Sequence, residues 1–178
     1  EKWAKMYITR WIEAPIEDRK GNKRYREGEG TPQGGVISPL LANLFLHYAF
    51  DRWLEKTYPN LCFVRYADDI IVHCNSQTEA EEVLIAIKKR LGECKLELNE
   101  KKTKIVYCKK DHRKDRFKTV QFDFLGFSFQ PRPAMNKEEG KMFLGFDCAI
   151  SRKNETKIIE IIRKSNFHKW TNSDIYRI

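Results

Sequence analysis

Phe63-Val64-Arg65-Tyr66-Ala67-Asp68-Asp69 sets two adjacent carboxylates between two short apolar runs, Leu61 to Tyr66 and Ile70 to Cys74. β-Branched and aromatic residues dominate both runs, so the stretch reads as a β-hairpin with Ala67-Asp68-Asp69 between its strands. Two carboxylates side by side repel, which raises a pKa or demands a counter-ion. A divalent cation is the usual remedy, and Mg²⁺ favours a few carboxylates completed by phosphate oxygens. Such a pair suits two-metal phosphoryl transfer, where one ion activates the attacking hydroxyl and the other stabilises the leaving group. Aspartates are also ordinary turn formers, so the dipeptide gains meaning only from what surrounds it.

Upstream, Trp3, Met6, Tyr7, Trp11 and Ile12 recur at helical spacing, predicting an amphipathic helix that ends before Pro15. Glu17 to Glu29 is charged and turn-rich and reads as a hairpin leading into Gly30-Thr31-Pro32-Gln33-Gly34-Gly35. Ser38-Pro39 then reads as an N-cap with proline at the first helical position. The helix from Leu40 to about Lys56 is apolar on nearly every side through Phe50, which predicts a place in the middle of the fold. Downstream, Ser76 and Glu79 form a capping box. Ala80, Val83, Leu84, Ile87 and Leu91 give the next helix one apolar face, ending at Gly92. Lys104 to Cys108, Phe122 to Phe129 and Met142 to Ile150 read as strands, with Phe124 and Phe127 on opposite faces. Ser151 to Ser165, with Ile158, Ile159, Ile161 and Ile162 among charges, reads as a helix opening a new element.

The 178 residues suit about one domain, and 41% hydrophobic content excludes a disordered basic tail. The longest stretch without charge, Gly30 to Phe50, carries Pro32, Gln33, Gly34, Gly35, Pro39 and Asn43, which argues against a membrane helix. No charged-then-apolar leader is visible. The chain opens on Glu1 directly into helix-forming sequence, so a segment of a longer polypeptide is expected. Five cysteines without a CxxC spacing, and few histidines, read as free thiols in a reducing compartment. The formal net charge is +9, and residues 101–118 hold nine Lys or Arg against two Asp, a local net of +7. Such a cluster is either a phosphate-binding stripe or a solvated charged face.

The 63–69 stretch resembles the Tyr-x-Asp-Asp motif of reverse transcriptases. Gly30-Thr31-Pro32-Gln33-Gly34-Gly35-Val36-Ile37-Ser38-Pro39-Leu40-Leu41-Ala42-Asn43 resembles the matching signature of the group II intron-type family. Leu98-Asn99-Glu100-Lys101-Lys102-Thr103-Lys104 and Phe124-Leu125-Gly126-Phe127 follow in that family's order. The resemblance implies an α+β fold, the palm of a right-hand polymerase, with an antiparallel sheet and helices packed on one face. It implies a partial palm over 1–150 and the start of a thumb or maturase region over 151–178. The upstream palm strand, the third catalytic carboxylate and the fingers would lie outside these residues, since Glu13, Glu17 and Asp18 sit in helix-end or turn sequence. The segment by itself is then expected not to polymerise, and the edge left open beside the Asp68-Asp69 hairpin could pair with a second copy.

By the same resemblance Asp68 is the stronger metal ligand and Asp69 the supporting one, holding Mg²⁺ with Mn²⁺ as a substitute. Tyr66 and Ala67 belong beside the primer terminus and incoming nucleotide, and Gln33 and Gly34 to the nucleotide-binding loop. Leu125, Gly126 and Phe127 correspond to the primer grip, where a core strand is the plainer reading. Lys102 is a catalytic candidate, protonating the departing pyrophosphate or contacting its phosphates, with Lys101 competing for the role. Arg65 in an apolar strand touches template or nucleotide, or makes a salt bridge within the fold. The implied parent is an RNA-directed DNA polymerase, a nucleotidyltransferase taking an RNA template, a DNA primer, dNTPs and intron RNA in the bacterial cytoplasm, with no membrane partner. A splicing maturase without polymerase activity, and a reverse transcriptase of phage defence or CRISPR adaptation, are the alternatives.

Overall fold

A computed structural model of the chain describes residues 1–18, 20–25, 30, 34–111, 117–137 and 140–166. The chain divides into two compact units, Glu1–Glu100 and Lys101–Ile178.

In the first unit, α1 (Lys2–Glu13) ends before Pro15 as its spacing predicts, and it buries no residue fully. β1 (Ile16–Glu17) and β2 (Lys23–Arg24) make a minimal antiparallel hairpin. Its turn is organised by the Asp18 carboxylate, which accepts from the Lys20 and Asn22 backbone N–H groups at 2.8 and 3.0 Å. The long helix comes in three parts: α2 (Ser38–Leu46), a π-helical turn (His47–Asp51) and α3 (Arg52–Thr57). Ser38 does not cap it. Ile37 already has helical dihedrals and stands at the N-cap, so the helix starts one residue early and Ser38 is buried in its first turn.

Phe50 and Leu54 are fully buried and form the core with Leu91. Full burial of each side chain contributes about 1.5–3 kcal/mol. β3 (Cys62–Tyr66) and β4 (Asp69–His73) pair antiparallel in the expected hairpin, with Tyr66 opposite Asp69. Alternation turns Phe63, Ile70 and Val72 onto the Phe50–Leu54 core, and the Phe63 ring meets Phe50 edge-on at 5.8 Å. α4 (Gln77–Glu93) closes the unit, its N-cap Ser76 Oγ accepting from Glu79 N at 3.1 Å. The Glu79 carboxylate in turn accepts from Asn75 N at 2.5 Å. Val83 and Leu91 of α4 are buried, as its apolar face predicts.

The long helix is less central than its composition implies. Leu40 is 64% and Tyr48 66% exposed, and Leu44 and Phe45 are about half exposed. Among the described residues its deepest packing is at Phe50 and Leu54, with Ala49 and Ser38 also buried. The other apolar side borders a groove of about 400 Å³, shared with Ile8 and Ile12 of α1.

In the second unit, Lys104 to Cys108 is not a strand. It runs without ladder pairing to any described strand, and Tyr107 N donates to Thr119 O at 2.9 Å. Phe122 to Phe129 is not one strand but a hairpin, β5 (Phe122–Phe124) and β6 (Phe127–Met135), turning at Leu125-Gly126. Both turn residues have positive φ, +50° and +84°, the requirement of a two-residue type I′ connection. Phe124 therefore faces Phe127 across the hairpin, on the same face rather than opposite ones. Phe122 and Phe129 stack with centroids 4.9 Å apart. β7 (Met142–Ile150) pairs with the whole of β6, giving the order β5-β6-β7. Pro131 and Pro133 remove two donors from β6 beyond the end of β5, which blunts that edge where no described strand covers it. α5 (Arg152–Ser165) starts at the expected N-cap, Ser151, whose Oγ accepts from Asn154 N at 3.4 Å. The structure thus holds three separate small antiparallel sheets among the described residues, rather than one sheet carrying all the strands.

The Leu125-Gly126 turn is tied to the start of α5. The Gly126 carbonyl accepts from Ser151 N at 3.0 Å and from Asn154 Nδ2 at 3.3 Å. A Cβ on Gly126 would lie 2.0 Å from Asn154 Nδ2, at a φ that side chains disfavour. Gly126→Ala is expected to destabilise this unit by about 1–2 kcal/mol in urea denaturation. Adding Asn154→Ala should recover the steric share and leave the backbone strain.

Candidate active site

The turn of the β3–β4 hairpin consists of Ala67 and Asp68, with Asp69 the first residue of β4. Ala67 has φ +53°, a left-handed conformation that costs a non-glycine residue about 1–2 kcal/mol. Something must hold it there, and Arg65 does. Arg65 Nη1 donates to the Ala67 carbonyl at 3.0 Å and to Asn43 Oδ1 of α2 at 2.9 Å. Its Nε and Nη2 donate to Asp51 Oδ1 and Oδ2 at 2.7 and 2.6 Å, a bidentate pair. The two side chains are only 11% and 13% exposed. Of the two readings left open for Arg65, the salt bridge within the fold is the one formed.

Hydrogen bonding to the Arg65 guanidinium, against the cost of burial, holds the Asp51 carboxyl below the ordinary carboxylate range, and His47 adds to it. His47 Nδ1 lies 3.4 Å from Asp51 Oδ2. The same pair raises Arg65 further above its ordinary value, with Asp51 as the main cause.

Asp68 and Asp69 are exposed, and among the described residues no hydrogen bond or ion pair engages either carboxylate side chain. Strand alternation puts Asp69 on the outer face with Tyr66, Val64 and Ile71, opposite to the face that packs on the core. Tyr66 is 62% exposed there. No cluster of three or more His, Cys, Asp or Glu suited to a metal occurs among the described residues. Two adjacent uncommitted carboxylates still fit Mg²⁺, which ordinarily takes one or two carboxylates and completes its shell with water and phosphate oxygens.

Tyr66, Ala67, Asp68 and Asp69 are thus gathered at one hairpin tip. Gln33 lies outside the described residues, and its neighbour Gly34 takes φ +86°, which glycine adopts without strain. Lys102 belongs to the second unit, in a turn at its start, and Leu125, Gly126 and Phe127 form the tip of the β5–β6 hairpin in that unit. The positive charge at 101–118 is only partly described, since residues 112–116 fall outside. Sequence reasoning missed Asn43 and Asp51 as partners of Arg65. The one available signal was an acidic residue directly after the apolar part of the long helix.

The family model for reverse transcriptase (RNA-dependent DNA polymerase) matches residues 1–129. The chain belongs to the reverse transcriptase family. That match takes in the whole hairpin with Asp68 and Asp69, Lys102 and the Leu125–Phe127 turn. Among curated proteins the chain is similar to Protein YkfC of Escherichia coli (strain K12), 34% identical over 113 residues, covering 43% of this chain and 29% of that protein. The chain spans under a third of the length of that relative. Mixed helices and small antiparallel sheets accord with a polymerase-type fold of this reverse transcriptase family. No helix among the described residues is long and apolar enough to cross a membrane.

Proposed function

We propose that the polypeptide carrying this chain is an RNA-directed DNA polymerase of the group II intron type, adding dNTPs to a primer 3′-hydroxyl with Asp68 and Asp69 as its metal carboxylates. The observation that carries this reading is the pair of uncommitted carboxylates on a hairpin tip whose base is packed on the Phe50–Leu54 core. Mg²⁺, when bound there, would supply charge neutralisation at the attacking hydroxyl and the leaving pyrophosphate. Asp68 and Asp69 contribute acceptor-only oxygens to that ion. Tyr66 offers an exposed ring beside Asp69 against which a base or sugar can rest. Lys102 is placed in this reading as a phosphate contact or proton donor to pyrophosphate, and Leu125-Gly126-Phe127 as the grip on the primer strand. Gln33 and Gly34 serve the incoming nucleotide, and the Lys/Arg run from Lys101 supplies salt-dependent contact with template and intron RNA. Residues 1–150 are assigned to the palm and 151–178 to the start of the thumb. The β3–β4 hairpin has no third strand beside it among the described residues, which leaves an edge on which a further palm strand or a second copy can pair.

The test is primer extension on an RNA template by the full-length polypeptide, with Mg²⁺, with Mn²⁺ and with chelator. cDNA that depends on the cation supports the reading. A folded protein that binds intron RNA and makes no cDNA overturns it in favour of a splicing maturase.

A further inference from the structure

We infer that Arg65 is a positioning residue for the metal carboxylates, acting through the backbone of Ala67, and that Asn43 and Asp51 aim it. This rests on the reading of Asp68 and Asp69 as metal ligands. Arg65 spends all three guanidinium nitrogens on three different parts of the chain: the π turn, α2 and the hairpin turn itself. Its acceptor in the turn is the carbonyl of Ala67, the residue with φ +53° and the immediate neighbour of Asp68. A carbonyl fixed at that position fixes the following peptide plane, and with it the direction in which Asp68 leaves the backbone.

The helix is shaped for this task. In an uninterrupted 3.6-residue repeat, positions 43 and 51 would be about 80° apart around the axis. The wider turn at His47–Asp51 falls between them and takes up that offset, so both side chains reach one guanidinium. π-Helical turns inside α-helices recur at functional sites for reasons of this kind. A salt bridge needed only for stability would have no use for a third acceptor on a strained turn two residues from Arg65 itself. Lysine can keep the charge opposite Asp51 but, as a point donor, cannot hold both the carboxylate and the Ala67 carbonyl in a planar fork.

The test uses the full-length polypeptide and four variants: Arg65→Lys, Asn43→Ala, Asp51→Glu and Asp68→Asn. Mn²⁺ binding is measured by electron paramagnetic resonance, together with extension kinetics and thermal melting. Arg65→Lys is expected to weaken Mn²⁺ binding and to lower kcat by about tenfold, the lower end for a residue that orients a ligand. KM for dNTP should stay within about threefold of the unsubstituted protein. Asn43 is exposed, so Asn43→Ala leaves the fold intact and should move both readouts in the same direction by a smaller factor. Asp51→Glu keeps a carboxylate opposite Arg65 and should lie nearer the unsubstituted protein than Arg65→Lys does. If Arg65→Lys lowers only the melting temperature, or if Asn43→Ala leaves Mn²⁺ binding and kcat unchanged, the positioning role is overturned. If Asp68→Asn binds Mn²⁺ and extends primer like the unsubstituted protein, the ligand reading fails, a result distinct from either.

Discussion

Asp68→Asn is expected to lower RNA-templated primer extension by the full-length polypeptide on the order of 10³-fold, the scale seen when one preorganised charge-stabilising group is removed. Asn keeps the size and one acceptor oxygen but loses the negative charge that balances a divalent ion. Because Asp68 is exposed and makes no ion pair with a described residue, its replacement should leave stability within about 0.5 kcal/mol. The loss would therefore belong to chemistry and not to folding. Asp69→Asn should cost less, since Asp69 is the supporting ligand in the proposed site. Single-turnover extension with matched circular dichroism spectra checks both. An Asp68→Asn protein within tenfold of the unsubstituted one would remove the carboxylate pair from the active site.

Asp51→Ala is expected to destabilise the first unit by about 3–5 kcal/mol, because it strands the Arg65 guanidinium in a mostly buried place with no carboxylate. The same pair sets a pH dependence whose sign follows from linkage. The Asp51 carboxyl is lowered in the folded protein, mainly by its hydrogen bonds to Arg65, so the unfolded chain binds the proton more readily. Its stabilisation is fully present above the ordinary carboxylate pKa, about 4, and is lost as pH falls through the lowered folded value. Arg65 is raised from a value already above any working pH and adds no dependence there. Urea midpoints measured from pH 7 to pH 2 should show the gap between the unsubstituted protein and Asp51→Ala shrinking below about pH 4. A gap that stayed constant would mean that the ion pair contributes nothing through its charge.

The hairpin at 62–73 was legible because its two β-branched and aromatic runs have no competing helical spacing, and α4 because its cap and its apolar face agree. The β5–β6 turn was not legible. Leu125 at φ +50° carries none of the Asn-Gly or Asp-Gly chemistry that marks a type I′ turn, so the phenylalanines at 122, 124, 127 and 129 read as one strand despite the three-residue step between 124 and 127. Lys104 to Cys108 differed for the opposite reason: its residues suit a strand, but a strand exists only where a ladder forms, and none forms there with a described strand. The long helix misled in a third way, since apolar composition predicts what wants burial and not what is covered.

Residue types and their order already name the groups that can do chemistry: two adjacent carboxylates between apolar strands, a glycine-rich loop before them, and a basic run after them. Those are local properties, set by side-chain type and short spacing. What holds the carboxylates in place emerges only from the folded arrangement. Arg65 meets Asp51 and Asn43 across 14 and 22 residues, and no local pattern encodes a partner at that distance. The π turn that brings both partners to one guanidinium has no signature in hydrophobic periodicity either. It forms because packing Phe50 and Leu54 against the hairpin, together with the desolvated Arg65–Asp51 pair, outweighs the cost of one irregular turn.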